Sequence, residues 1–263
     1  MAFLTCNIFS NALGKATNFN AILPQDCNKN TKVLFLLHGL SDDHTAWVRY
    51  TALEQMVRNY NLAVFMPDGS RMFYCNVGDG TRCLDYVSQE LPDVITKMFN
   101  VSASRENTFI AGQSMGGYGA MKVALNFPER FSAAVSLSGS LRNQWMRQDF
   151  GPLHRFDFGP EDEYNGSIND IFAAAKNLAN DATKPRPRLY MTCGTEDFLY
   201  ADNIAFRDYL RTLGLKIDYR ESPGAHTWEF WNAELPALLA WLMKDSPNGE
   251  DAATQTLRSF GNK

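Results

Sequence analysis

A chain of 263 residues with 45% hydrophobic and 21% charged side chains can bury about three quarters of its unfolded surface, and its composition excludes extended disorder. The formal net charge of −4 is spread without blocks, which argues against nucleic-acid or anionic-membrane binding. No run approaches the roughly 18 apolar residues of a membrane span, and Met1 to Ala12 lacks the basic start and apolar run of a signal peptide. The five cysteines have no C-x-x-C spacing and form no cluster with the four histidines, so we expect reduced thiols, a cytoplasmic protein and no bound metal.

In chain order, Phe3–Phe9 and Ala16–Leu23 read as strands joined by turn residues, an antiparallel hairpin. Val33–Leu37 is a continuous apolar run, as in a strand covered on both faces, and it ends in His38-Gly39-Leu40. A helix is expected over Ala46–Asn59, a buried strand over Leu62–Met66, and a helix over Arg82–Phe99 whose core side carries Leu84, Val87, Leu91, Val94, Ile95 and Met98. The run Thr108–Gln113 leads into Ser114 and a helical stretch to Asn126, and Phe131–Leu137 is the next strand.

From Leu141 to Tyr164 neither period holds, and we read about 141–180 as a cap insertion, with a helix near Asn169–Ala179. Leu189–Cys193 and Lys216–Glu221 read as strands, Asn203–Leu213 and Trp228–Met243 as helices, and 246–263 as a polar, partly loose tail. Alternating strands and helices predict one α/β domain over 1–245, a mainly parallel sheet with helices on both faces.

The chemistry starts at Gly112-Gln113-Ser114-Met115-Gly116, a Gly-x-Ser-x-Gly between a strand and a helix. That context is a nucleophile elbow, in which a strained turn raises one serine hydroxyl above the sheet edge. By composition alone the motif would arise by chance in roughly one chain in ten. A serine hydroxyl also needs a base, and in an open α/β sheet reactive groups gather at the carboxyl ends of strands.

Asp197, after Leu189–Cys193, is the preferred acid over Glu196 and over Asp202, which reads as the N-cap of the next helix. His226, after Lys216–Glu221, is the preferred base, because Ser…Asp…His is the hydrolase order; His44 and His154 follow the wrong strands and His38 belongs to another feature. An oxyanion hole needs two amides, expected from Met115, at a helix N-terminus, and from Leu40 after the turn at Gly39. Trp47, Trp145 and Trp228 are candidate pocket walls with Gly39, whereas Trp231 reads as core.

His38-Gly39-Leu40-Ser41 with Trp47, Met66–Ser70, Phe109–Gly119, Cys193–Leu199 and Gly224–Trp228 together resemble the esterase D / S-formylglutathione hydrolase-like esterases, nearest the bacterial tributyrin-esterase branch. The resemblance spans roughly residues 1–243. It implies an α/β-hydrolase fold, a triad of Ser114, Asp197 and His226, oxyanion donors at Leu40 and Met115, no cofactor, and small acyl-ester substrates including acetylated sugars or aryl esters. A thioesterase acting on S-formylglutathione and an acyltransferase share these parts, a catalytically silent binding protein is the bland alternative, and a homo-oligomer is compatible with the chain.

Overall fold

The computed structural model describes residues 1–142, 158–246 and 249–260. Eight strands form one sheet in the order β1-β2-β4-β3-β5-β6-β7-β8: β1 (Ala2–Ser10), β2 (Lys15–Leu23), β3 (Lys32–Leu37), β4 (Leu62–Pro67), β5 (Thr108–Gln113), β6 (Ala133–Leu137), β7 (Arg188–Gly194) and β8 (Asp218–Ser222). The β1–β2 hairpin and the β2–β4 pairing are antiparallel, while β3 to β8 run parallel, with Leu37 opposite Gly112 and Gly194 opposite Ser222.

The helices are α1 (Ala46–Tyr50), α2 (Leu53–Val57), α3 (Cys83–Asp85), α4 (Leu91–Met98), α5 (Met115–Asn126), α6 (Glu161–Tyr164), α7 (Ile171–Asn180), α8 (Tyr200–Thr212), α9 (Trp228–Met243) and α10 (Gly249–Phe260). The unbroken apolar runs of the central strands divide by their pleat between two cores. Val33, Phe35 and Leu37 of β3 face Leu84, Ile95 and Tyr118, whereas Leu34 and Leu36 face Trp47, Leu53, Leu235 and Leu239.

The fold class is therefore the one the alternation predicts, and the departures from the sequence reading have local causes. The helix expected over 46–59 is two short helices, because the Thr51 hydroxyl bonds the Trp47 carbonyl and the Ala52 amide donates to Asn232 Oδ1 of α9 at 2.9 Å. These bonds replace two steps of the helical ladder. The helix expected over 82–99 contains a π-helical stretch, Tyr86–Glu90, immediately before Leu91-Pro92, where proline has no N–H to give the ladder.

Asp202 lies in the first turn of α8 and is not its N-cap; that place is taken by Leu199, whose amide donates to Asp197 Oδ1 at 2.8 Å. Within the expected cap, α7 buries Ile171, Ala174, Ala175 and Leu178 against α5 and the sheet, so it is a framework helix. Residues 143–157, and with them Trp145, lie outside the described residues.

The tail, expected to be loose, carries the helix α10, which buries Ala252 and Thr256; the Thr256 hydroxyl donates to the Met56 carbonyl at 3.3 Å. Its polar composition hid a narrow apolar seam. Ala252→Asp would bury an unpaired carboxylate there and is expected to lower the unfolding free energy by about 2–4 kcal/mol in urea denaturation, where a loose tail would give less than about 0.5.

Candidate active site

The carboxyl ends of β3, β5, β7 and β8 converge, and each delivers one part of the site. After β5 the chain turns at Ser114, which holds φ 55° and ψ −118°, and α5 starts at the next residue. A positive φ in a non-glycine residue is strained and persists only where its surroundings enforce it. Here the Ser114 amide donates to the Leu137 carbonyl at 3.0 Å, and the Ser114 carbonyl accepts the Ser140 and Tyr118 amides at 3.0 and 3.1 Å. The tightness of the turn also needs Gly116: a Cβ there would lie 2.5 Å from the Leu37 carbonyl oxygen. Glycine lets α5 press directly onto the end of β3.

Ser114 Oγ lies 2.9 Å from His226 Nε2, and His226 Nδ1 lies 2.9 and 3.1 Å from the two carboxylate oxygens of Asp197. Burial opposes charge on Asp197, but the hydrogen bonds from His226 and the Leu199 amide outweigh it and hold the carboxyl below its ordinary value. Glu196, the rejected alternative, instead accepts the Gly224 amide, while its own amide donates to the Gly224 carbonyl at 3.0 Å. That exchange ties the loop of Asp197 to the loop of His226. From beneath, the buried Glu234 of α9 accepts Thr192 of β7 at 3.1 Å and Ser222 of β8 at 3.0 Å and pairs with Arg220 at 3.2 Å.

The fourth part is the turn after β3. Gly69 N–H donates to His38 Nε2 at 2.9 Å, which assigns the proton to Nδ1, and Nδ1–H donates to the Gly39 carbonyl at 2.8 Å. The Asp42 amide donates to the same carbonyl at 3.2 Å. In a trans peptide C=O and N–H point in opposite directions, so pinning the Gly39 carbonyl turns the Leu40 N–H the other way. Leu40 and Met115 both line the pocket beside Ser114. Tyr74, with its hydroxyl on the His38 carbonyl at 2.8 Å, braces this turn and does not line the pocket.

The pocket beside Ser114 encloses about 340 Å³, with Leu40, Phe73, Met115, Leu199, Trp228 and Trp231 as its apolar walls and Gly39 in its lining. Trp228 takes the place expected of it, but Trp47 does not. Trp47 is fully buried behind Trp228, ring centroids 5.1 Å apart, with its indole N–H on the Leu37 carbonyl at 3.1 Å. Trp231, read from the sequence as core, is buried and also lines the pocket. Its ring meets that of His226 edge-on at 4.9 Å, and the ring of Phe198, 70% exposed, lies tilted 4.6 Å from the imidazole.

The imidazole is thereby fixed in orientation by two aromatic rings as well as by Asp197. Phe198 adjoins the predicted acid, which was the available signal for it. A larger cavity of about 460 Å³ lies at the opposite ends of β7 and β8, beside Leu178, Arg188, Lys216 and Trp241, and among the described residues no serine, cysteine or histidine lines it.

A carboxyl whose folded pKa is depressed adds stability that is present above its unfolded value, about 3.9, and lost as pH falls through the folded value. Asp197→Asn is thus expected to be less stable than the parent chain at neutral pH, with the gap closing below about pH 4. Urea unfolding of both proteins across that range measures it, and a pH-independent gap would contradict the assignment.

Among the described residues no group of three or more His, Cys, Asp or Glu side chains is placed to hold a metal ion, and no helix is long and apolar enough to cross a membrane. The Esterase family model matches residues 10–242. An acetyl esterase of Caldicellulosiruptor saccharolyticus is 31% identical over 94% of this chain and 100% of its own length. The substrate-bound fluorophosphonate-binding serine hydrolase FphF of Staphylococcus aureus superposes with a TM-score of 0.87 at 33% identity, covering 93% of this chain and 99% of that one. The S-formylglutathione hydrolase FrmB of the same organism gives a TM-score of 0.83 at 33% identity, covering 92% of this chain and 98% of that one. The chain belongs to the Esterase family and is a carboxylic-ester hydrolase with the α/β-hydrolase fold.

Proposed function

We propose that the protein is a serine carboxylesterase for short-chain acyl esters, working through an acyl-enzyme on Ser114, His226 and Asp197. The observation that carries this reading is the unbroken hydrogen-bond relay from Ser114 Oγ to His226 Nε2 and from His226 Nδ1 to Asp197 at a strained elbow. His226 takes the proton of Ser114 as Oγ attacks the ester carbonyl. Asp197 holds the tautomer in which Nε2 is free to accept it and stabilises the imidazolium.

The amides of Leu40 and Met115 receive the oxyanion, the second at the N-terminus of α5 where the helix dipole adds to the attraction. His226 then protonates the departing alcohol, and water activated by the same histidine releases the acid. The chain's own groups complete this cycle without a metal or organic cofactor.

The dimensions of the pocket support a small acyl group, such as acetyl or butyryl, against Leu40, Met115 and Trp231. A second recess of about 160 Å³, lined by Ser41, Asp42, Asp43, Ala46, Arg49 and Tyr50, shares Ser41 and Asp42 with the catalytic pocket. Carboxylates beside a guanidinium suit hydroxyl groups, which both donate and accept, and this supports acetylated sugars as one alcohol class. The likeness to FrmB supports a thioester such as S-formylglutathione as the second reading, since the same triad serves both.

Ser114→Ala is expected to cut turnover of p-nitrophenyl acetate by about 10⁴-fold or more and to abolish labelling by a fluorophosphonate probe. Near-normal hydrolysis by that variant would sink the assignment. Comparing kcat/KM on acetyl, butyryl and aryl esters, acetylated sugars and S-formylglutathione ranks the substrate classes; acyl transfer to added alcohol, read from the products, tests for a transferase.

A further inference from the structure

We propose that Gln113 is a positioning residue for the oxyanion turn: its carboxamide grips Asp42 across the turn and so sets the direction of the Leu40 amide. This rests on the reading of Leu40 as an oxyanion donor. Gln113 is the last residue of β5, only 1% exposed, and follows the buried apolar run Phe109-Ile110-Ala111-Gly112. A buried carboxamide costs on the order of 1–3 kcal/mol unless it is bonded. Here one half is bonded and the other is not. Nε2 donates to Asp42 Oδ2 at 2.7 Å, a charge-assisted bond across 71 positions of sequence, whereas Oε1 is buried and has no partner among the described residues.

A side chain that only filled space would avoid that orphan carbonyl as methionine or leucine does. The retained group is the donor.

What the donor holds is specific. The plane of the carboxamide lies flush on Gly39, where a Cβ would come within 2.4 Å of Nε2 and 2.7 Å of Oε1. Gln113 therefore touches the turn at Gly39 and grips it at Asp42, on either side of Leu40. The grip reaches the reacting centre by a short path. The Asp42 amide donates to the Gly39 carbonyl, and the orientation of that carbonyl dictates the Leu40 N–H through the rigid peptide plane. Because Gln113 is bonded covalently to Ser114, the same side chain ties the nucleophile's strand to the turn that faces it. The hydrogen bond thus adds a tie from the nucleophile's strand to the one that His38 makes with the Gly39 carbonyl.

Misdirecting a donor that binds charge only in the transition state lowers kcat and leaves KM nearly unchanged, unlike the loss of a substrate contact. Gln113→Met keeps the volume and removes the donor. Its kcat on p-nitrophenyl acetate is expected to fall by about 10- to 100-fold, below the cost of deleting an oxyanion donor outright, with KM within about threefold. Gln113→Glu sets two carboxylates face to face and is expected to fall at least as far. Adding Asp42→Asn to it supplies an amide donor to the new carboxylate with the polarity reversed, and is expected to recover at least half of the loss on a logarithmic scale.

An unchanged kcat in Gln113→Met, a loss confined to KM, or a double variant no better than Gln113→Glu alone would each overturn the proposal. Thermal unfolding of all three variants checks the fold, and should Gln113→Met fail to fold, the charge-reversed pair carries the test alone. Wild-type turnover of the same ester reports on the hydrolase reading, whereas the ratio of variant to wild type reports on the grip, so the two fail separately.

Discussion

The contact on which the site depends is the approach of α5 to the end of β3. With Gly116 pressed to within a Cβ's reach of the Leu37 and His38 carbonyls, the helix that follows the nucleophile and the turn that faces it share one wall. Any larger residue there would need 2.5 Å to hold what requires about 3.4 Å, so helix and strand would separate. The strained φ at Ser114 is a consequence of this closeness. The chain has too little room to leave β5 and enter α5 in any ordinary conformation. Strain at the elbow and the placing of Leu40 and Met115 on one pocket both accompany this close approach.

Around that contact the polar groups are organised so that each fixes the next. His38 is buried between a donor, the Gly69 amide, and an acceptor, the Gly39 carbonyl, so its tautomer and the peptide after it are settled together. His226 is in contact with Phe198 and Trp231 and bonded to Asp197, with Nε2 directed at Ser114. Groups held in this way need not turn when charge develops beside them. The charged groups that are not part of the relay serve the frame, as Glu234 does between β7 and β8 and Glu196 does between the acid and base loops.

How much of this could be read in the chain depended on the range of the deciding interaction. The strands were legible because apolar runs such as Val33–Leu37 and Leu62–Met66 admit no other burial. Ser114, Asp197 and His226, which the structure joins by hydrogen bonds, could be named as candidates because the residues that follow strands in this architecture are few. The break between α1 and α2 was not, since it is made by Asn232, 180 positions later. Trp47 and Trp231 exchanged the places expected of them for the same reason. Each adjoins the site in sequence terms, and only the packing of α9 against α1 puts one behind Trp228 and the other beside His226. The tail helix α10 was hidden by composition, because three small residues, Gly249, Ala252 and Thr256, make its buried seam.

By itself the sequence determined the architecture, and it named Ser114, Asp197 and His226 as candidates by their places after strands, since both readings follow from periodicity and from motifs a few residues long. Tertiary structure alone decided which carboxylate meets the base and which only braces a loop, which tryptophan walls the pocket, and that Gln113 reaches Asp42. The physical reason is that a hydrogen bond or a ring contact is settled over a few tenths of an ångström between side chains brought together from distant parts of the chain. Local sequence carries the direction of a strand; it does not carry the distance between the ends of two of them.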